Sequence, residues 1–254
     1  MARKVGGLKE YLEYKAELDS KVVVIQHLSD IDRIKVVKPA YRSRYFPEGR
    51  EYISRKMRRR IGKYENVDGV MLTLTFDPSL ISKGDAWCDY GAYVSNVLNV
   101  INQYRYRRRN RYGGRWPRLS YFWVVEVQKK TGYPHVHIFF PRLKWLAPGE
   151  YLRSVCNLGR SNVKRMGAVN GAAYICKYLR KMEAWSELSQ AFLWKGGCRL
   201  YSFSRGYFKK LPEKVKEWGL KAICGLYEAW VLVMDLWIEG RKIEDGELVG
   251  FKHG

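Results

Sequence analysis

Two histidines stand two residues apart, His135 and His137, in the run YFWVVEVQKKTGYPHVHIFF over residues 121–140. Apolar runs flank a polar, glycine-containing turn, which predicts a β-hairpin with strands near 121–127 and 134–140. Strand residues two apart face the same way, so both imidazoles leave one face of the sheet. With the turn centred on residues 129–132, Glu126 falls directly opposite His135, where Cβ atoms stand roughly 4.5–5.5 Å apart. One carboxylate and two imidazoles would then form a facial three-ligand set, leaving positions open on a divalent metal. A strand histidine is more commonly packed or solvated than a ligand, so spacing alone does not decide the matter.

A second stretch bears on it. Residues 168–182 read AVNGAAYICKYLRKM. Wound as a helix, Tyr174, Lys177, Tyr178 and Lys181 recur at three- and four-residue steps on one face. Ala172, Ile175, Leu179 and Met182 lie towards the other side, where they can pack on a sheet. Tyrosines at the rim of a core are the plain reading of such a face. Beside an open metal site the same residues suit phosphodiester chemistry. The metal polarises the scissile phosphate, a tyrosine hydroxyl attacks phosphorus, and a phosphotyrosine and a free 3′-hydroxyl result. Lys177, next to Tyr178, lowers the cost of forming the phenolate and can bind phosphate oxygens.

Composition narrows the partners. The 254-residue chain carries 47 Lys+Arg against 25 Asp+Glu, a formal net charge of +22. Such an excess repels itself unless a polyanion is present. Hydrophobic residues make up 46%, enough to bury a core, and aromatic residues 15%. Basic surfaces interleaved with aromatic rings suit single-stranded nucleic acid. The five cysteines (Cys88, Cys156, Cys176, Cys198, Cys224) are scattered and lack C-x-x-C spacing, so no disulfide framework or zinc ribbon is expected. A reducing, intracellular, cytoplasmic setting fits. The first twenty residues lack a signal peptide's apolar core. The apolar stretch 226–238 contains Glu228 and Asp235 and is too short to span a bilayer, so membrane insertion is set aside.

The remaining elements must position these groups. Residues 1–20 read as a polar helix and 21–26 as a short strand. A basic segment over 35–63 is broken at Pro39 and Pro47, and 52–64 reads as a helix with an arginine-rich face. VMLTLTF over 70–76 is expected as a central strand, with Thr73 and Thr75 on one face and Leu72, Leu74 and Phe76 on the other. Residues 86–104 read as a helix whose Val94, Val97, Leu98 and Ile101 make an apolar stripe. RYRRRNRYGGRWPR over 105–118 is expected as a basic loop and is the strongest local nucleic-acid signal. Arg105, Arg107, Arg108, Arg109 and Arg111, together with Lys181, are the candidate DNA contacts. A helix near 148–156, a short connection through 163–166, a strand at 199–203 and a short helix at 212–218 complete the expectation. The apolar stretch 227–238 would complete the core or add a terminal subdomain. The expected organisation is a basic N-terminal extension (1–66), a core (67–206) and a C-terminal extension packing on it (207–254).

Taken in order, Leu72-Thr73-Leu74-Thr75-Phe76, Glu126 with His135-Val136-His137, and Tyr174-Ile175-Cys176-Lys177-Tyr178 resemble the three motifs of HUH endonucleases. More narrowly they resemble rolling-circle replication initiator (Rep) proteins of plasmids or viruses, with a prokaryotic or archaeal replicon expected. The resemblance covers roughly residues 68–206. It implies an α+β fold with a central five-stranded antiparallel sheet, related to ferredoxin-like and RNA-recognition folds and flanked by helices. It implies Mg²⁺ or Mn²⁺ held by His135, His137 and a polar third ligand, for which Glu126 is the candidate. It implies a nucleophile at Tyr174 or Tyr178, or both in alternation, with preference for Tyr178. Site-specific nicking and rejoining of single-stranded DNA at a replication origin follows, to start and end rolling-circle replication. No G-x-x-x-x-G-K-[ST] phosphate loop is present, so unwinding would need a separate helicase. The competing readings are a transposase or relaxase of the same superfamily, a catalytically silent nucleic-acid-binding module, and a basic RNA-binding protein.

Overall fold

In the computed structural model the described residues are 7–27, 34–37, 43–61, 67–112, 118–169, 171–197, 199–204, 207 and 218–225. The chain divides into two compact units, residues 1–8 with 54–210 and residues 9–53 with 211–254. The second unit contains an antiparallel three-stranded sheet in the order β2-β1-β8, built from β1 (Lys21–His27), β2 (Ile34–Val37) and β8 (Trp218–Gly225). Trp218, expected in a short helix, instead opens β8, whose register runs Lys21↔Gly225 to His27↔Trp218. Most of helix α1 (Leu8–Ser20) belongs to the same unit, with Tyr11 buried edge-on against Tyr45. The expected helix at 212–217 and the stretch 227–238 lie outside the described residues. Helix α2 (Pro47–Ile61) starts at the proline expected as a break. Proline suits that place, because the first helical N–H has no intrahelical acceptor. Arg50 is buried and Arg55 exposed, and the side chains of residues 56–61 lie outside the described residues.

The first unit is organised on a five-stranded antiparallel sheet in the order β6-β3-β5-β4-β7. Its strands are β3 (Val67–Phe76), β4 (Phe122–Val127), β5 (Pro134–Pro141), β6 (Gly159–Val169) and β7 (Tyr201–Phe203). The architecture is α+β, with helices on both faces. Period-two alternation sorts the side chains. Leu72, Leu74, Phe76, Val136 and Ile138 are buried on one face, while Thr73, Thr75, His135 and His137 occupy the other, half-buried. Gly69 permits a close crossing, since a Cβ there would stand 2.3 Å from the Phe140 carbonyl oxygen.

Helix α3 (Lys83–Tyr112) covers the apolar face. Ser82 caps it by accepting from the Asp85 N–H while its hydroxyl donates to the Asp85 carboxylate, a reciprocal cap. Trp87, Tyr90, Val94, Val97, Leu98 and Ile101 recur at three and four residues and are fully or almost fully buried. The expected loop at 105–118 is corrected here, because α3 continues through Tyr112. Most of its described arginines point outward without breaking the helix, and Arg108 donates to the hydroxyl of Tyr104, one turn back. Helix α4 (Gly149–Val155) follows β5. Residues 163–166, expected as a connection, lie inside β6. The sequence signal there is weak because β6 is an edge strand whose side chains are mostly exposed.

Helix α5 (Gly171–Lys181), a 3-10 turn (Met182–Ala184) and α6 (Glu187–Lys195) complete the unit. On α5, Cys176, Leu179 and the following Met182 are buried, and Tyr174 meets Phe122 of β4. Ala172 and Ile175 lie outside the described side chains. Leu72 is fully buried in a strand paired on both sides. Leu72→Ala is expected to cost about 2–5 kcal/mol in urea unfolding, and a loss below about 1 kcal/mol would contradict its place in the core.

Candidate metal centre and tyrosine pair

The hairpin turn sets the register of the site. Gln128 N–H donates to the Tyr133 carbonyl at 2.8 Å, and Gly132 N–H to that of Gln128 at 2.9 Å. Gly132 has φ 75°, a left-handed conformation that side chains disfavour. The indole of Trp87 donates to the Gly132 carbonyl at 2.9 Å, fixing the turn to the start of α3. This register places Glu126 opposite His135 and Val124 opposite His137. On the other side β3 pairs Thr75 with His135 and Thr73 with His137.

The threonines orient the imidazoles. The Thr73 hydroxyl lies 3.2 Å from Nδ1 of His137, and the Thr75 hydroxyl 3.1 Å from Nδ1 of His135. Both Nε2 atoms are thereby left for other partners. Nε2 of His137 stands 3.6 Å from Oε1 of Glu126, buried and without a hydrogen-bond partner among the described residues. One donor atom from each of Glu126, His135 and His137 lies within 4.8 Å of the others. Two oxygens or nitrogens on one small divalent ion stand at most about 4.2 Å apart, so Glu126 and His137 already meet that span. A buried nitrogen without a partner, beside a carboxylate and a second imidazole, fits a divalent cation.

The electrostatics agree. Burial, followed by the neighbouring His137, pushes His135 down to about 4 against the opposing pull of Glu126. Its imidazole is therefore neutral near pH 7, the form that binds metal. Burial would raise the Glu126 carboxyl, but the nearby His137 imidazole and the hydrogen bond and charge of Lys181 bring it down to about 2. Lys181 Nζ donates to Oε2 of Glu126 at 2.7 Å and lies 4.6 Å from the centroid of the Tyr178 ring.

Helix α5 brings the tyrosines against His137. Ring centroids of His137 and Tyr178 are 5.2 Å apart, and those of His137 and Tyr174 6.3 Å. The two phenol oxygens are 3.0 Å apart, so one hydroxyl donates to the other. Burial raises the pKa of both. Their hydrogen bond then separates them, lowering Tyr174 and raising Tyr178 further, and the charge of Glu126 raises both.

Of the residues singled out from the sequence, Glu126, His135, His137, Tyr174, Tyr178 and Lys181 converge. Lys177 is exposed on α5, and the lysine that reaches the carboxylate is Lys181. Arg107, Arg108 and Arg111 are exposed at the far end of α3. Arg105 is instead 6% exposed, with its guanidinium donating to the carbonyls of Trp145 and Leu146. The side chain of Arg109 lies outside the described residues. Strand β6 adds residues that sequence reasoning missed. Its register aligns Arg160 with Thr75, Asn162 with Thr73 and Lys164 with Met71, so Arg160 and Asn162 share the face of the histidines. The threonine–histidine pairs were also missed as pairs, although T-x-T and H-x-H both place two side chains on one face. Thr73→Val should weaken Mn²⁺ binding roughly 10- to 100-fold by calorimetric titration, because His137 loses the partner that fixes its ring. Unchanged affinity would remove that role.

No helix among the described residues is long and apolar enough to cross a membrane. The model of a family of replication-associated proteins, the ORF2 type, matches residues 69–183. The matched segment contains the threonines, the histidines, Glu126, both tyrosines and Lys181. This similarity supports a replication initiator of the Rep type. No curated protein and no solved structure matches the chain.

Proposed function

We propose that the chain is a metal-dependent HUH endonuclease that nicks and rejoins single-stranded DNA at a replication origin, starting and ending rolling-circle replication. The observation that carries this reading is the position of the tyrosine pair. Two phenol oxygens 3.0 Å apart sit over His137, whose buried Nε2 faces Glu126. A binding module would need neither the pair nor the ligand set.

His135, His137 and Glu126 would hold Mg²⁺ or Mn²⁺. Bound there, the ion would supply positive charge that polarises the scissile phosphodiester and offsets the field of Glu126 on the tyrosines. The protein's own groups do the rest. Thr73 and Thr75 hold the imidazoles, and Lys181 keeps the Glu126 carboxylate ionised and turned towards His137. One tyrosine oxygen attacks phosphorus as the bond from phosphorus to the 3′-oxygen breaks. The tyrosine proton ends on that oxygen, leaving a 5′-phosphotyrosine and a free 3′-hydroxyl. No water is consumed, so a 3′-hydroxyl can reverse the step and rejoin the strand. Burial of both tyrosines keeps them protonated at rest, which limits unwanted attack before DNA is positioned. Lys181, rather than the exposed Lys177, is the lysine assigned to this machinery.

The test is covalent trapping on labelled single-stranded DNA from the origin of the parent replicon, with Mn²⁺, on a denaturing gel. A shifted adduct, formed on DNA and absent on RNA of the same sequence, is the expected result. If the DNA binds and neither strand of the origin yields an adduct or a nick, the reading fails in favour of a silent binding module.

A further inference from the structure

A second group of arginines and aromatic rings stands at the opposite end of α3 from the hairpin turn. Trp87 ties the start of α3 to that turn, and Arg108 lies about 30 Å further along the helix at 1.5 Å per residue. Tyr104, Arg107, Arg108 and Arg111 follow three- and four-residue steps and share one face of the helix. Arg105 points the other way and, through the Trp145 and Leu146 carbonyls, fastens the segment after β5 to the helix. Trp145 is thereby held beside Arg108, whose guanidinium carbon is 5.3 Å from the ring centroid, and remains 41% exposed. Tyr151 of α4 stacks on Tyr104, centroids 4.3 Å apart and planes 30° from parallel, and donates to the Val100 carbonyl. The charge of Arg107 is felt at the Tyr151 hydroxyl.

Arg107 and Arg111 are four residues apart and Arg108 and Arg111 three, so the three guanidinium groups follow one edge of the helix. Such a row of positive charge suits a phosphate backbone. Fixed rings between the guanidinium groups are what unpaired bases stack on, and a duplex keeps its bases stacked on each other.

We propose that Tyr104, Arg107, Arg108, Arg111, Trp145 and Tyr151 form a second strand-binding subsite, which anchors single-stranded DNA away from the tyrosine pair. It rests on the proposed nicking function in taking the same strand as its ligand. Phosphates lie along the arginines, and a base stacks on Trp145. The subsite raises the residence of the strand without touching the reacting atoms.

The test is fluorescence anisotropy with a labelled single strand of about 16 nucleotides, without metal, over a series of salt concentrations. Trp145→Ala should weaken binding roughly 5- to 100-fold, and Trp145→Phe, which keeps a ring, should recover most of it. Arg107→Glu with Arg111→Glu changes only exposed positions, so it carries the test even if Trp145→Ala fails to fold. It should weaken binding and reduce the slope of log K against log salt by about 1–2. In cleavage assays both variants should raise KM and leave kcat unchanged. Unchanged affinity in the charge reversal, equal loss in Trp145→Ala and Trp145→Phe, or tighter binding of duplex DNA or RNA would each overturn the subsite. Because binding is read without metal, a protein that never cleaves but shows these losses would sink the nicking function alone. Normal cleavage with unaffected binding would sink the subsite alone.

Discussion

His135→Ala and His137→Ala are each expected to reduce cleavage roughly 10³-fold while leaving DNA affinity within about two-fold. A bound divalent ion supplies several kcal/mol of transition-state charge stabilisation, and each 1.36 kcal/mol is tenfold in rate. Affinity for DNA comes chiefly from phosphate contacts, and a net charge of +22 leaves many of those intact. The same variants separate a ligand role from a structural one. A packed histidine stabilises the apo protein, so its loss should lower Tm. His137 instead keeps Nε2 buried without a partner among the described residues, an arrangement that costs stability until a cation meets it. In apo protein the Tm of His137→Ala should therefore be close to that of the parent. Addition of Mn²⁺ should raise the parent's Tm by mass action and leave the variant's unchanged. Parental cleavage in either variant, or an undiminished Mn²⁺ shift, would remove the metal assignment.

The placement of Glu126 across from His135 was legible because a single turn fixes a hairpin's register, and the period of two then fixes the face. The alternation of β3 was legible for the same reason, whereas the five-stranded sheet was expected only from the resemblance of the three motifs. Edge strand β6 was not. RSNVKRM offers its exposed side chains no apolar face, so Arg160, Asn162 and Lys164 carried no strand signal. The length of α3 was misjudged because arginines read as loop composition, whereas they are good helix formers with room on a solvated face. Arg105 shows the limit of charge counting. Five arginines in one run look equivalent, yet helical phase turns this one inward onto two carbonyls. Phase also separates Lys177 from Lys181, since both lie at helical steps from the tyrosines and only packing decides which amine meets Glu126. The pairing of β1 with β8 joins segments far apart in sequence, and neither strand carries a local feature that names its partner.

Tyr174→Phe combined with Tyr178→Phe is expected to abolish the covalent DNA adduct, by at least about 10⁴-fold, because a residue that forms the new bond has no substitute. Each single variant should still form an adduct. The physical reason is that both hydroxyls occupy the same place, 3.0 Å apart. Once one of two neighbouring phenols ionises, the other donates to it, and the charge of the first then opposes ionising the second. Burial raises both tyrosines, and either hydroxyl can donate in that bond, so both stand as candidate nucleophiles. The partner that stays neutral is then in place for a second attack once the first has become a phosphotyrosine. A protein with one tyrosine would consequently nick but fail to resolve the product. Single variants should accumulate adduct and release no rejoined circle in a replication assay with the partner helicase supplied. Adduct formation by the double variant would mean that another nucleophile acts. Complete loss in one single variant, with full nicking and release in the other, would leave one nucleophile and make the second tyrosine a positioning residue.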